Sequence, residues 1–359
     1  MAKVIDYVKA ADERVKLKNF NEKDAIVLNL LSYLHFDGLK DRTKLRDIVE
    51  VAPSLVKNTR VPETNKELLL ACAASPRYAK VRLYRYNEET NIQEVKQFAA
   101  VTFFIDWRTI YVAFRGTDGT MVGWQEDFNL AFMDEVPAQA QAKEYLRRIV
   151  KKYFWCKIIV GGHSKGGNLA VYAGMKVEPK YQKRVPSIYN MDGPGFKKTL
   201  HDSEEFKDVR SKVTKIVPEY SVIGMLLQDE GEYRVVQSDG EWLFQHDMYN
   251  WIFDENPWRL HYLPYLHIDA VRMNQTIFNW LRNIDEDKRG LIIENLFDIL
   301  RSGGSITLAD FSDHWKQNIG EIFAKYRSYD KDQRVLLRKS LVGLAKDVVF
   351  NSLKRKKQK

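Results

Sequence analysis

Residues Lys157 to Gly174 read KIIVGGHSKGGNLAVYAG. The apolar run Ile158-Ile159-Val160 predicts a strand, Gly161-Gly162 a sharp turn, and the stretch from Gly166 to Met175 a helix. Ser164 stands at the apex, inside Gly162-His163-Ser164-Lys165-Gly166. This is the G-x-S-x-G pattern of a nucleophile elbow, whose strained strand-to-helix turn lifts a serine hydroxyl above a parallel sheet. Such a turn folds its neighbours together, so the residues two before and two after the serine have no room for a Cβ. The following helix would aim its first amides at the point where negative charge collects in acyl transfer. A phosphate-binding loop does not fit, because Gly166 is followed by Gly167-Asn168 where that motif needs Lys and Ser or Thr.

The rest of the chain sets the frame for that turn. Its 359 residues, 45% hydrophobic, allow one large domain or two ordinary ones with a sizeable core. No run of 18 uncharged apolar residues suggests a membrane span. The start, MAKVIDYVKAADERVK, lacks the apolar centre of a signal peptide. Cys72 and Cys156 are far apart and read as reduced thiols, so the expected location is cytoplasmic. The net charge is +9, with five positive charges in the last six residues, leaving +4 for the remainder. That tail suggests a solvated end or weak peripheral attraction to anionic lipid, and no nucleic-acid module accompanies it.

In chain order, residues 1–20 read as a short polar helix open to motion, and Asn21 to Phe36 as a capped amphipathic helix closed by a structural His35. Three strands follow, from Val81, over Gln97 to Ile105 and over Thr109 to Phe114, with turns expected at 87–91 and 106–108. A helix over Ala138 to Phe154 leads into the elbow strand. Beyond the elbow, strands are expected at Ser187–Met191, Lys212–Val217 and Tyr233–Val236, with a polar helix between the first two. Strands alternating with helices predict an α/β fold with a mostly parallel sheet flanked by helices. This hydrolase-like domain is assigned to residues 1–265. Residues 266–359 read as an all-helical extension packed on it, with helices at 268–283, 286–301, 307–326 and 331–354. The stripe Leu337, Leu341, Leu344, Val348 and Phe350 on the last helix reads as core, with a basic membrane-surface helix as the alternative.

A serine nucleophile needs a base, and the base an orienting acid. In this fold the chain order is serine, acid, histidine. His246, which follows the Tyr233–Val236 strand, is the favoured base, with His261 and His267 as fallbacks. His201 comes too early and His314 lies in the helical extension. His163 beside the serine reads as structural. Glu219, after the Lys212–Val217 strand, is the favoured acid, and Asp192 the alternative. The amide of Lys165 and that of Thr117, in the loop Arg115-Gly116-Thr117, are the candidate oxyanion donors, with the Thr117 hydroxyl as a further donor. Trp124, Phe128, Met225, Leu226 and Leu227 are candidates for an acyl pocket or for core. No cofactor and no metal is implied by any motif.

Several of these stretches together resemble a known family. Ala113-Phe114-Arg115-Gly116-Thr117 with Trp124, Asp127 and Phe128, followed by Gly162-His163-Ser164, resembles the class 3 lipases. With Lys165 to Ala170, Asp192-Gly193-Pro194-Gly195, Ser221 to Leu227 and Gln245-His246-Asp247, the chain looks closer to a family of uncharacterised bacterial α/β hydrolases distantly related to those lipases. Two departures stand out: Lys165 replaces a leucine of the lipases, and Ser221 falls where they carry the acid. The resemblance implies a hydrolase fold and a serine mechanism on an acyl or lipid-like ester. The rival expectations are a thioesterase or peptidase with the same triad, and a non-catalytic binding or membrane-associated scaffold.

Overall fold

The computed structural model describes residues 1–227, 232–307, 314, 317–340 and 342. The sheet has eight strands: β1 Arg82–Asn91, β2 Lys96–Phe104, β3 Thr109–Phe114, β4 Lys157–His163, β5 Ile188–Met191, β6 Val213–Pro218, β7 Tyr233–Val236 and β10 Tyr262–Leu263. They lie side by side in that order. From β3 to β7 every pairing is parallel, while β1–β2, β2–β3 and β7–β10 are antiparallel. A separate small ribbon pairs β8 Phe253–Asp254 with β9 Arg259–Leu260. The central strands are buried on both faces, which is why they read as apolar runs and not as alternations.

Helices cover both faces. On one side lie α1 Val4–Ala10, α2 Glu22–Leu31, α3 Ala52–Val56 and α4 Pro62–Ala74, whose apolar residues join Tyr111, Ile159 and Met191 in one core. On the other lie α6 Pro137–Lys152, α7 Lys165–Met175 and α9 Glu204–Arg210, packed against Val112, Val160 and Ile188. The remaining helices of the sheet region are α5 Met121–Asn129 and α8 Lys198–His201. The extension contributes α10 Ile268–Arg282, α11 Glu286–Arg301, α12 Ile319–Ser328 and helical residues 331–340. Ile293 and Phe297 of α11 pack on Met121 and Trp124 of α5, so the extension rests on the helix that follows β3.

Two expectations change. The first residues are not a mobile polar helix: Val4, Ile5, Tyr7 and Val8 are buried, and nearby Arg77 grips the fully buried Asp24 through Nε at 2.7 Å. The turn expected at 87–91 is strand, since β1 runs through it after an irregularity between Tyr84 and Asn87, and the reversal falls at 92–95. The polar run NEETN reads as turn, but here it lies on an edge strand, where charged side chains face water without breaking the ladder. Of the expected stripe on the last helix, Leu337 is buried, whereas Leu341, Leu344, Val348 and Phe350 lie outside the described residues, as does the basic tail. No helix among the described residues is long and apolar enough to cross a membrane.

Candidate active site

The carboxyl ends of β3, β4, β5 and β6 meet at one rim of the sheet, the place where open α/β sheets gather functional loops. β4 delivers Ser164 there with φ 58° and ψ −132°, a backbone state that a non-glycine residue holds only when its surroundings force it. The forcing contacts are visible. A Cβ on Gly162 would sit 2.1 Å from the Gly166 carbonyl oxygen, and one on Gly166 would sit 2.1 Å from that of Phe114. The Ser164 amide donates to the Met191 carbonyl at 3.0 Å, which ties the apex to β5. As the first residue of α7, Lys165 has an amide that no intrahelical carbonyl reaches.

His246, in the short turn Trp242–His246, places Nδ1 2.6 Å from Oδ2 of Asp192. Asp192 is the residue directly after β5 and itself has φ 49°. Its other oxygen, Oδ1, accepts from the Ser221 hydroxyl at 2.5 Å. The structure thus brings the alternative acid of the sequence reading, Asp192, to His246, and not the favoured Glu219. The reason is strand order: Asp192 ends the strand adjacent to β4, whereas Glu219 ends β6, one strand farther out. Glu219 is engaged through its backbone, donating to Val236 and accepting from the His267 amide. The fallback histidines lie elsewhere, His261 on Asp254 at 2.7 Å and His267 at the start of α10.

His163 does more than fill the turn. Its ring stacks on that of His246 with centroids 4.5 Å apart. Nε2 lies 2.8 Å from the His246 carbonyl, which can only accept, so the proton is on Nε2. Nδ1 then accepts from the Tyr33 hydroxyl at 2.8 Å. Burial, followed by the His246 charge, holds His163 well below the usual imidazole range, so it stays neutral. A neutral ring fixed at both nitrogens anchors the backbone of His246.

Lys165 sends its side chain away from the cavity. Nζ donates to Glu126 Oε2, to the Gln97 carbonyl and to Gln97 Oε1, each at 2.8 Å. Glu126 also accepts from the amides of Gln97 and Ala138. Next to it, Asp127 accepts the Thr117 hydroxyl at 2.6 Å. That bond commits the hydroxyl proton of Thr117, so its expected second use as an oxyanion donor is not available while Asp127 is ionised. Burial pushes the Asp127 carboxyl up to about 6 against the pull of Lys165. No sequence signal marked Glu126.

Ser164, His163 and His246 open onto a cavity of about 530 Å³. Of the five apolar residues expected there, Trp124 lines it. Phe128 instead packs on Phe297, and Met225, Leu226 and Leu227 belong to the loop after β6, away from the cavity wall. The far wall comes from α3 and the loop behind it, with Lys57, Arg60 and Val61.

With this geometry in place, comparison with known proteins becomes informative. The Mbeg1-like family model matches residues 72–298 of the chain, which is more than half of it. The chain belongs to the Mbeg1-like family. No curated protein matches this Mbeg1-like chain significantly. Among solved structures, it is similar to M37 lipase, with 13% identity over 57% of this chain and 70% of that one, at a TM-score of 0.39. It is also similar to Lip2 lipase from Yarrowia lipolytica, with 14% identity over 63% and 82% at 0.37. A fungal lipase in complex with an inhibitor gives 14% identity over 71% and 88% at 0.41. At these scores the likeness decides nothing about chemistry, which rests on the residues of the Mbeg1-like chain itself.

Proposed function

We propose that this protein is a serine hydrolase that cleaves an acyl ester through Ser164, His246 and Asp192. The reading is supported above all by one observation: His246, held by Asp192 at 2.6 Å, opens onto the same cavity as a serine in a strained strand-to-helix turn. With Nδ1 bound to the carboxylate, Nε2 of His246 is the nitrogen left to take the serine proton. Ser164 Oγ then bonds to the acyl carbon, and the carbonyl electrons move onto oxygen, where the amides of Lys165 and Thr117 stabilise them. His246 gives its proton to the leaving alcohol, and water attacks the acyl-enzyme with the same imidazole as base.

A fluorophosphonate probe tests the nucleophile. Labelling of the wild type and its loss in Ser164→Ala are expected, while an unlabelled wild type would turn the reading towards a binding module. Ester turnover should fall by at least ~10⁴-fold in Ser164→Ala. Running a thioester and a peptide beside the ester panel ranks the three chemistries that one triad can serve.

A further inference from the structure

The cavity beside Ser164 carries a charge that hydrolysis alone does not require. Lys57 and Arg60 sit in the loop between α3 and α4 and line its outer wall. Both are exposed, and neither meets a carboxylate among the described residues. The other charged groups on the wall are already engaged. Arg115 pairs with Glu88 at 2.5 Å and with Asp118 at 3.6 Å. Asp247 accepts the Tyr249 amide at 3.0 Å. Asp247 keeps its negative charge beside His246, so the positive charge is local to the α3–α4 rim that carries Lys57 and Arg60.

This loop is also held in place relative to the catalytic segment. The Thr59 hydroxyl donates to the Val56 carbonyl and accepts from the buried Asn65 amide at 2.9 Å. Oδ1 of Asn65 accepts from the Tyr249 hydroxyl at 2.7 Å, three residues from His246. The two cations thus stand on a rim braced to the histidine segment. On the Tyr33 hydroxyl, burial acts first, then Arg115, then Asp247 in the opposite sense, with Arg60 a smaller contribution; on His163, Arg60 adds to the larger effects of burial and His246. Two unpaired cations facing one cavity raise its potential and favour an anion that neutralises both. Leu30, Val61 and Trp124 on the same cavity supply apolar surface for an acyl group.

Resting on the serine-hydrolase reading, we propose that the substrate is an acyl ester whose alcohol portion carries a phosphate, seated between Lys57 and Arg60 while the acyl carbonyl meets Ser164. Both cations lie before residue 72, outside the residues that the family model matches.

The test compares hydrolysis, by the full chain, of the monobutyryl ester of glycerol and the same ester of glycerol phosphate, with released butyrate titrated. Wild type should favour the phosphorylated ester by about tenfold in kcat/KM, mostly through KM, and the advantage should shrink as salt rises. In Lys57→Ala/Arg60→Ala, checked for an unchanged melting temperature, the ratio should fall towards one. A long-chain acyl glycerol phosphate tells a lipid source from a soluble one, since only a lipid substrate gains further from chain length. A wild-type ratio near one, or a preference that the double variant retains, overturns the proposal. Calorimetric titration of both butyryl esters into Ser164→Ala separates this from failure of the hydrolase reading. If the wild type cleaves neither ester and takes no probe, tighter binding of the phosphorylated one, lost on removing Lys57 and Arg60, supports the rim. Equal or absent binding overturns it.

Discussion

Ser164 has a hydrogen-bonded pair of ionisable side chains on either side, and the two differ in what surrounds them. On one side His246 meets Asp192 at 2.6 Å, with 19% of the imidazole side chain exposed and 1% of the carboxylate. On the other, Lys165 meets Glu126 at 2.8 Å, both at 0%. The Lys165–Glu126 pair is saturated with hydrogen bonds, and every partner is protein. A proton moved within it would have no route to a substrate. The His246–Asp192 pair leaves one imidazole nitrogen towards the cavity. Contacts of similar length are thus open to the cavity in one place and sealed in the other, and access to solvent makes the difference.

The largest effects should come from the open pair. Asp192→Asn keeps the shape but removes the charge that steadies the imidazolium, and kcat is expected to fall by ~10³–10⁴-fold. Glu219→Gln should change kcat by less than about threefold, because its backbone and not its carboxylate is what the fold uses. Steady-state kinetics on one ester checks both, and the reverse pattern would assign the acid to Glu219. The sealed pair should answer in stability. Lys165→Met leaves Glu126 buried without its cation and is expected to cost about 3–5 kcal/mol in urea unfolding. Adding Glu126→Gln should recover much of that loss. If the single variant is as stable as wild type, the two pairs do not divide the work in this way.

The sequence revealed one of these pairs only in part and the other not at all. The elbow was legible because its pattern is confined to five residues, even though the atoms that exclude a Cβ at Gly162 and Gly166 come from the turn itself and from Phe114 and Arg115 at the end of β3. The strands around it were legible because buried parallel strands are short apolar runs. The carboxylate that meets His246 was not, since telling Asp192 from Glu219 requires knowing that β5 and not β6 lies next to β4. A tighter reading of Asp192-Gly193-Pro194-Gly195 could have found it. Gly193 has no space for a Cβ against the Ser164 carbonyl, 2.5 Å away, which marks that turn as a neighbour of the elbow. The Lys165–Glu126 bond left no trace, for it joins residues 39 positions apart with no spacing rule between them. The cationic rim was equally hidden, because Lys57 and Arg60 reach the cavity from a loop about a hundred residues before Ser164.

Asp127 sits between the two pairs in character and gives a smaller, pH-dependent effect. Burial raises its folded value from 3.8 to about 6, so the fold disfavours its charged form. A raised carboxyl contributes stability that is complete below the unfolded value and is lost as pH rises through the folded one. Wild-type stability relative to Asp127→Asn should therefore decline between about pH 4 and 6, by roughly 3 kcal/mol in all, and level off above that. Thermal melts of both proteins across this range give the curve. A difference that stays flat with pH would mean that Asp127 is ionised throughout, with Lys165 outweighing its burial.

Ser221 offers the finest test, because it touches the open pair without belonging to it. Its hydroxyl donates to the oxygen of Asp192 that His246 leaves free, at 2.5 Å. Removing it in Ser221→Ala deletes one hydrogen bond to a charged group, with a net worth of about 1.5–3 kcal/mol, only part of which is felt in the transition state. A loss of about three- to tenfold in kcat is expected, with KM nearly unchanged, since the bond orients the acid and not the substrate. The same closeness permits a stronger experiment. In chains carrying Asp192→Asn, Ser221→Asp puts a carboxylate within reach of the position that the imidazole already faces. Recovery of at least about tenfold of the lost kcat would mean that His246 needs a negative charge at its Nδ1 and accepts it from either strand end. No recovery would mean that the Asp192 geometry, fixed by its own φ of 49° after β5, is what the imidazole requires.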